Sequence, residues 1–447
     1  MEFKPVHSAK WKAPFFAIWT AQAFSLVGSA LVQFALVWWL TQSTGSATVL
    51  ATATLVAILP GIFLGPLAGA LVDRWNRRAV MIIADSGIAL ATLGLVYLAA
   101  TGALQVWHVY ATMAIRATGA AFHWPAMQAS TTLMVPRQQL SRVAGLNQTL
   151  QGAVNIVAPP TGALLLGVLP LPAVLGIDVF TALLAIAPLF FIHIPQPQKR
   201  LAARPGADAG TESVAKTSVW QDLRAGLSYV RSWPGLMIIL IMATLINFLL
   251  NPASALMPLL VTRHFGGDAL QLGAMDAVWG IGVVAGGLVL SVWGGFRRRI
   301  ATSMMGLVGI GAGFVIIGLA PPTAFALAMA GTLVAGIMNP ITNGPLLAVV
   351  QSAVPPEMQG RVFTLIQSAA LAMSPLSMIV AGPVADALGV RVWYVVGGAV
   401  CAAMGALAFF VPAIMRLEDG RAQWAAAEEW AQATPAWSSM SRRENQT

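Results

Sequence analysis

Five ionisable side chains interrupt long apolar stretches of this sequence: Asp85, Arg116, Asp178, Asp276 and His123. Where such a stretch crosses a lipid core, a central charge costs about 2.5–3.5 kcal/mol on insertion scales, so it faces protein or water and often marks a proton or substrate path. A carboxyl can take up and release a proton, and an arginine beside it favours the ionised form. Histidine has the titration range of a relay, although a lone His123 is more often a packing residue. Amides offer a second chemistry. Asn147, Gln151 and Asn155 share one helical face at i, i+4 and i+8, Asn247 with Asn251 and Asn339 with Asn343 repeat the i, i+4 spacing, and the first apolar run carries Gln22, Ser25, Ser29 and Gln33. With Trp19, Phe34, Trp38 and Trp279 these groups would line a largely apolar cavity with a few hydrogen-bonding sites, which suits a bulky amphipathic molecule. The structural alternative for each amide is a bond between helices, worth about 0.6 kcal/mol.

The elements that must position these residues are transmembrane helices. The chain has 447 residues, 57% of them hydrophobic and only 9% charged, and its mean hydropathy is +0.76. Ordinary globular domains are about a quarter charged, so no soluble fold of this length hides so much apolar surface. Twelve apolar runs of spanning length lie near 13–40, 47–71, 79–101, 104–128, 143–169, 171–193, 234–262, 269–294, 300–320, 323–350, 360–386 and 390–415. The first lacks a small-residue cleavage site and reads as a retained span. The lone Cys401 excludes an intrachain disulfide and a cysteine-rich metal site.

Basic residues set the expected orientation. With the N-terminus in the cytoplasm, all of the 25 Lys and Arg except Arg116, Arg263 and Arg391 fall on the cytoplasmic side, which predicts a multi-pass protein of the bacterial plasma (inner) membrane with both termini cytoplasmic. The net charge of +9 is spread over loops with no basic module between them, which argues against a nucleic-acid partner. The expected partners are the lipid bilayer and a small hydrophobic substrate, with the chain a monomer.

An internal repeat divides the chain. MVPRQQLSRVAGLNQTL (134–150) aligns with AVPPEMQGRVFTLIQSA (353–369), pairing Pro136 with Pro355, Arg142 with Arg361, Val143 with Val362 and Gln148 with Gln367. GPLAGALVDRWNRRAVM (65–81) resembles AGGLVLSVWGGFRRRIA (285–301) at nearly the same offset. The fold expected is all-α and polytopic, twelve transmembrane helices in two six-helix pseudo-symmetric halves. Its parts are an N-terminal half (1–193), a cytoplasmic linker with an amphipathic helix (194–233) that Ser218 and Gln221 would cap, a C-terminal half (234–415) and a cytoplasmic tail (416–447).

Three motifs carry a family resemblance. GALVDRWNRR (69–78) resembles the signature between helices 2 and 3 of the major facilitator superfamily, with Asn76 where a second glycine is usual. IRATGAAFHWPA (115–126) is similar to the helix-4 signature through Arg116 and Gly119, and APPTGA (158–163) to the helix-5 antiporter signature through Pro159 and Gly162, with Ala158 and Ala163 in place of two glycines. The run from SLVGSALVQF to LVDRWNRR resembles the macrolide-efflux-type branch of drug exporters. The resemblance implies a secondary transporter and no enzyme, using a proton gradient and no cofactor to export hydrophobic or amphipathic drugs by alternating access. Carriers of siderophores, metabolites or sugars are the alternative, and a polytopic membrane enzyme is remote, because HExxH, GxSxG and Walker A motifs are absent.

The resemblance also implies roles. Helices 1, 4, 7 and 10 would line the cavity, helices 2, 5, 8 and 11 flank it, and helices 3, 6, 9 and 12 support it. Proton coupling would then fall to Arg116 and Asp276, with Asp178 in reserve. The substrate cavity would be formed by Gln22, Ser29, Gln33, Trp38, Asn147, Gln151, Asn155, Asn247, Asn251, Trp279, Asn339 and Asn343. A latch holding the outward-open state would comprise Asp73, Arg74, Arg77, Arg78, Asp85 and Arg361, with Asp73 facing the start of helix 11 and Asp85 completing it through Arg77 or Arg78.

Overall fold

A computed structural model describes residues 11–72, 74–192, 194, 227, 230–231, 233–354 and 356–419. Asp73, the capping residues Ser218 and Gln221, the Arg361 side chain and the tail beyond Asp419 lie outside the described residues. Among those described there are twelve long helices: α1 (Lys12–Thr44), α2 (Ala47–Val72), α3 (Arg77–Ala100), α4 (Val106–Met134), α5 (Leu140–Val168), α6 (Leu171–Phe191), α7 (Pro234–Ala255), α8 (Ala269–Trp293), α9 (Arg299–Leu319), α10 (Phe325–Ala353), α11 (Pro356–Leu388) and α12 (Arg391–Ala408). Eleven are long and apolar enough to cross a membrane. The exception is α4, whose 29 residues carry Arg116, His108 and His123, so its polar content lowers a hydropathy that its length would otherwise satisfy.

The first six helices and the last six pack alike. The pairs α1–α5, α1–α6, α2–α4, α3–α4 and α3–α6 recur six helices later as α7–α11, α7–α12, α8–α10, α9–α10 and α9–α12. The repeat in sequence is therefore a repeat in packing. The main contacts across the two sets are α2 on α11 and α5 on α8.

Helices reaching a membrane surface must satisfy their first N–H groups, and the caps come from near and far. Asn76 accepts from the Ala79 N–H at 3.2 Å and starts α3; its φ is −70°, so at this position the family's glycine is replaced by a residue that caps. Asp268 and Gln271 form a reciprocal capping box on α8. Glu418, beyond α12, accepts from the Ile300 N–H at 2.5 Å and caps α9. Around α9 the main chains approach through glycine: a Cβ on Gly313 would lie 2.6 Å from the Gly331 oxygen of α10, and one on Gly398 of α12 would lie 2.7 Å from the Gly311 oxygen.

The bundle has a basic end, with the α2–α3, α4–α5 and α8–α9 turns, and an opposite end, with the α1–α2, α7–α8 and α11–α12 turns. Arg263 and Arg391 sit at the opposite end, as their exclusion from the basic set requires. Arg391 donates to the Gly318 carbonyl at 2.7 Å, and the Arg263 guanidinium lies against Gly45, which closes α1 at φ +60° and where a Cβ would meet Nη2 at 3.0 Å. At this end Asp386 of α11 accepts from the Ala47 N–H at 2.9 Å, the Thr48 N–H at 3.1 Å, the Thr48 hydroxyl at 2.7 Å and the Ser46 hydroxyl at 3.3 Å. A carboxylate from the last six helices thus caps α2 of the first six. Among the described residues, it takes every side-chain hydrogen bond between the two sets.

Capping carboxylates contribute about 0.5–2 kcal/mol, and an exposed one belongs at the low end of that range. Asp386→Ala should therefore shift the population toward separation of α2 from α11 by a few-fold to about tenfold. Distances between spin labels at Ser43 and Leu388 should broaden to longer values, and unchanged distributions would show that Asp386 does not hold this end.

Candidate functional site

The ionisable residues inside the helices fall into three groups, and Arg116 heads the first. It is 9% exposed and Asp178 of α6 is 0% exposed. Arg116 Nη1 donates to Asp178 Oδ2 in a short ion pair and to Thr92 Oγ1 of α3 at 2.9 Å, while Nη2 reaches the Ser29 carbonyl of α1 at 3.3 Å. Ser29 Oγ donates to Asp178 Oδ1 at 3.0 Å and Thr92 Oγ1 to Oδ2 at 3.2 Å. Gly28 lets α1 lie directly on α6 at this level, since a Cβ there would stand 3.3 Å from Asp178 Cα. Four helices are tied by one network in which both charges are paired and hydrogen-bonded.

This corrects one expectation. The acid beside Arg116 is Asp178 and not Asp276, because α4 packs on α2 and α3 whereas α8 packs on α5 and α10. Thr92 was missed altogether, since one threonine in an apolar helix gives no signal by itself.

Asp276 stands apart. It lines a cavity of about 270 Å³ with Ala30, Gln33, Phe34 and Val37 of α1, Leu50 and Thr54 of α2, Pro159 of α5, and Ser254, Met257 and Pro258 at the end of α7. Both sets of helices wall this cavity. Among the described residues no Lys, Arg or His lies within salt-bridge distance of its carboxyl. The antiporter-like motif forms the adjoining seam: a Cβ on Gly273 of α8 would lie 2.9 Å from both the Pro159 oxygen and Pro160 Cα, and one on Gly162 would lie 3.1 Å from Phe34 of α1.

Asp85 belongs to a third group. Its Oδ2 accepts from Gln22 Nε2 at 3.0 Å and its Oδ1 lies 3.4 Å from His123 Nε2. The latch residues meet other partners: Arg77 donates to the Ala129 carbonyl of α4 at 2.9 Å and Arg78 to the Phe190 carbonyl of α6 at 2.6 Å, while Arg74 is exposed. The expected pairing of Asp85 with Arg77 or Arg78 is therefore not formed, because about two turns of α3 separate them and the Ala129 and Phe190 carbonyls of α4 and α6 take the guanidinium groups.

The predicted cavity residues converge in two further cavities. One, about 240 Å³, is lined by Trp19, Gln22, Ser29, Asp85, His123, Asn147 and Gln151 together with Trp124, Met127 and Leu150. The other, about 270 Å³, is lined by Asn247, Asn251, Trp279, Asn339 and Asn343 with Phe314 and Leu346. Gln33 lines the cavity of Asp276. Trp38 instead packs against the main hydrophobic core, and Asn155 is exposed outside all three cavities. Several amides also serve the scaffold, Asn147 accepting from Trp19 Nε1 at 2.7 Å and Asn247 and Asn343 donating to carbonyls one turn back.

The family model for the Major Facilitator Superfamily matches residues 18–377. The chain belongs to that superfamily. It is 34% identical over 388 residues to macrolide efflux protein A of Streptococcus pyogenes, covering 87% of this chain and 93% of that protein. It is 26% identical to multidrug efflux pump Tap of Mycolicibacterium fortuitum, covering 91% and 98% respectively. Among solved structures, a bacterial homologue of the human lysosomal transporter Spinster matches with a TM-score of 0.63 at 13% identity, covering 94% of this chain and 99% of that one. A member of this superfamily with such helices is a multi-pass membrane protein.

Removing one partner of a buried ion pair costs about 3–5 kcal/mol, whereas replacing both with apolar groups of similar volume is often neutral. Arg116→Met and Asp178→Leu should each lower the melting temperature in detergent sharply, and the double variant should recover most of the loss. A double variant as unstable as the singles would show that the two residues stabilise the bundle independently.

Proposed function

We propose that this chain is a secondary active transporter that exports hydrophobic or amphipathic drugs, macrolide-like compounds among them, in exchange for protons across a bacterial plasma membrane, with both termini cytoplasmic. Support for the substrate class comes from relatives named as macrolide and multidrug efflux proteins and from the cavities, where amides and tryptophans stand among apolar side chains. The basic turns support the orientation.

The observation that carries the coupling is the place of Asp276. A coupling carboxyl must meet one aqueous phase in one state and the other phase in the other, and Asp276 lies in a cavity walled by both sets of helices, beside the Gly273 and Pro159 seam. When α8 moves against α5, its surroundings change. Asp178 is less suited, because protonating it strands the Arg116 charge in the interior. Arg116 and Asp178 accordingly act as the fixed part against which α1 is held.

The state seen here has the opposite end joined through Asp386 and Gly382, whose Cβ would lie 2.5 Å from Thr48 Cα. With the basic end cytoplasmic, the outer side is the one joined in this state. The family resemblance implies that Asp73, which follows Val72 in the sequence, would face the α11 N-terminus and hold the reverse state. Substrate would enter from the cytoplasmic side, and proton uptake from outside by Asp276 would drive the return.

Asp276→Asn should abolish drug-dependent dissipation of a pre-formed pH gradient in inverted vesicles while drug binding to the purified protein persists. Full gradient-driven export by that variant would remove Asp276 from the coupling role.

A further inference from the structure

The cavity of the first six helices holds a carboxyl and an imidazole, Asp85 and His123, that the coupling scheme does not use. Asp85 is 6% exposed and presents one oxygen to Gln22 and the other to His123. His123 Nε2 is buried and has no hydrogen-bond partner, so it faces Asp85 at 3.4 Å with nothing else to satisfy it.

The other charges nearby are committed. On α4, Arg116 is bound to Asp178, Thr92 and the Ser29 carbonyl, and on α6 Asp178 completes that network. On α3 itself, Arg77 and Arg78 reach the Ala129 and Phe190 carbonyls. Into the cavity α1 and α5 bring amides and no charge: Gln22, Asn147 and Gln151. The walls beside the pair are Trp19, fixed by its bond to Asn147, and Trp124, with Met127 and Leu150. A buried carboxylate in a cavity that two indoles also line suits an organic cation, through charge and cation–π attraction together.

We propose that this cavity is a subsite for monovalent organic cations, the protonated amine or quaternary centre of an amphipathic drug, with Asp85 as counter-ion and His123 as the group that yields its place. In the unloaded site protonated His123 neutralises Asp85. When the cation arrives, His123 releases its proton from Nε2 to cavity water and becomes neutral. One positive charge enters and one leaves, Asp85 stays ionised, and the site's net charge is unchanged. Neutral drugs use the apolar walls without displacing a proton. The inference rests on reading the chain as a drug exporter, but it concerns binding alone and needs no gradient.

The test is binding of tetraphenylphosphonium to the purified full-length protein by titration calorimetry, across about pH 5 to 8, where histidines ordinarily titrate. Buffers of different ionisation enthalpy report the protons released. Wild type should bind more tightly as pH rises, releasing up to one proton per cation at the acid end. Asp85→Asn should lose tenfold or more of the affinity while binding of a neutral hydrophobic dye persists, which certifies the fold, and Asp85→Glu should restore most of it. His123→Gln should bind the cation with no pH dependence and no proton release. Wild-type affinity for the cation that survives in Asp85→Asn, or proton release that survives in His123→Gln, would overturn the proposal. Neither outcome bears on gradient-driven export, which reads Asp276 separately.

Discussion

The Arg116 and Asp178 ion pair is the interaction on which the first six helices depend. Two opposite charges taken from water into a helix bundle are tolerable only when each satisfies the other and the remaining donors and lone pairs find partners. Here Thr92 and Ser29 supply them, so α1, α3, α4 and α6 cannot separate without exposing a bare charge to an apolar interior. Among the described residues, the corresponding helices of the last six carry no such network. They reach the same packing through glycines, Gly313 against Gly331 and Gly311 against Gly398, where close main-chain approach and dispersion replace charge. One arrangement is thus held by two chemistries, directional in the first set and steric in the second.

The helices left out of the charge network are the ones that meet the other set. Neither α2 nor α5 contributes to it, and these two pack on α11 and α8. Their seams are lined by groups that permit approach without interlocking: Gly273 on Pro159 and Pro160, Gly280 on Ile156, Gly382 on Thr48. A seam of small residues and prolines slides more readily than one of interdigitated large side chains. Its position is then set by few polar contacts, which makes Asp386 influential despite its exposure.

The twelve helices and their repeat were legible in the sequence, because hydropathy over about 20 residues is a strong signal and the aligned 134–150 and 353–369 segments fix the register of the two sets. The cavity amides were largely legible too, since i, i+4 spacing on neighbouring helices survives folding; Trp38 and Asn155 failed because a helical face does not say which neighbour covers it. The partner of Arg116 was not legible from depth. Arg116, Asp178 and Asp276 all lie about 10–15 Å from the same end, counting 1.5 Å per residue, so only the order of helix neighbours separates Asp178 from Asp276. Asp386 gave no signal at all, because an acid at a helix end reads as ordinary solvated charge until the N-terminus of α2 is placed beside it.

Sorting the three intramembrane acids by partner also separates the roles proposed for them. An arginine cannot give up its charge in a protein, so protonating Asp178 would leave the Arg116 charge unpaired in the interior. A histidine can give up its charge, and the cation exchange proposed at Asp85 relies on that property of His123. Asp276 has no cation within salt-bridge distance among the described residues, and its cavity is walled by both sets of helices. In the proposed scheme the same carboxyl group serves as structural anchor, counter-ion or proton carrier according to whether its neighbour is a fixed charge, a removable charge or a moving wall.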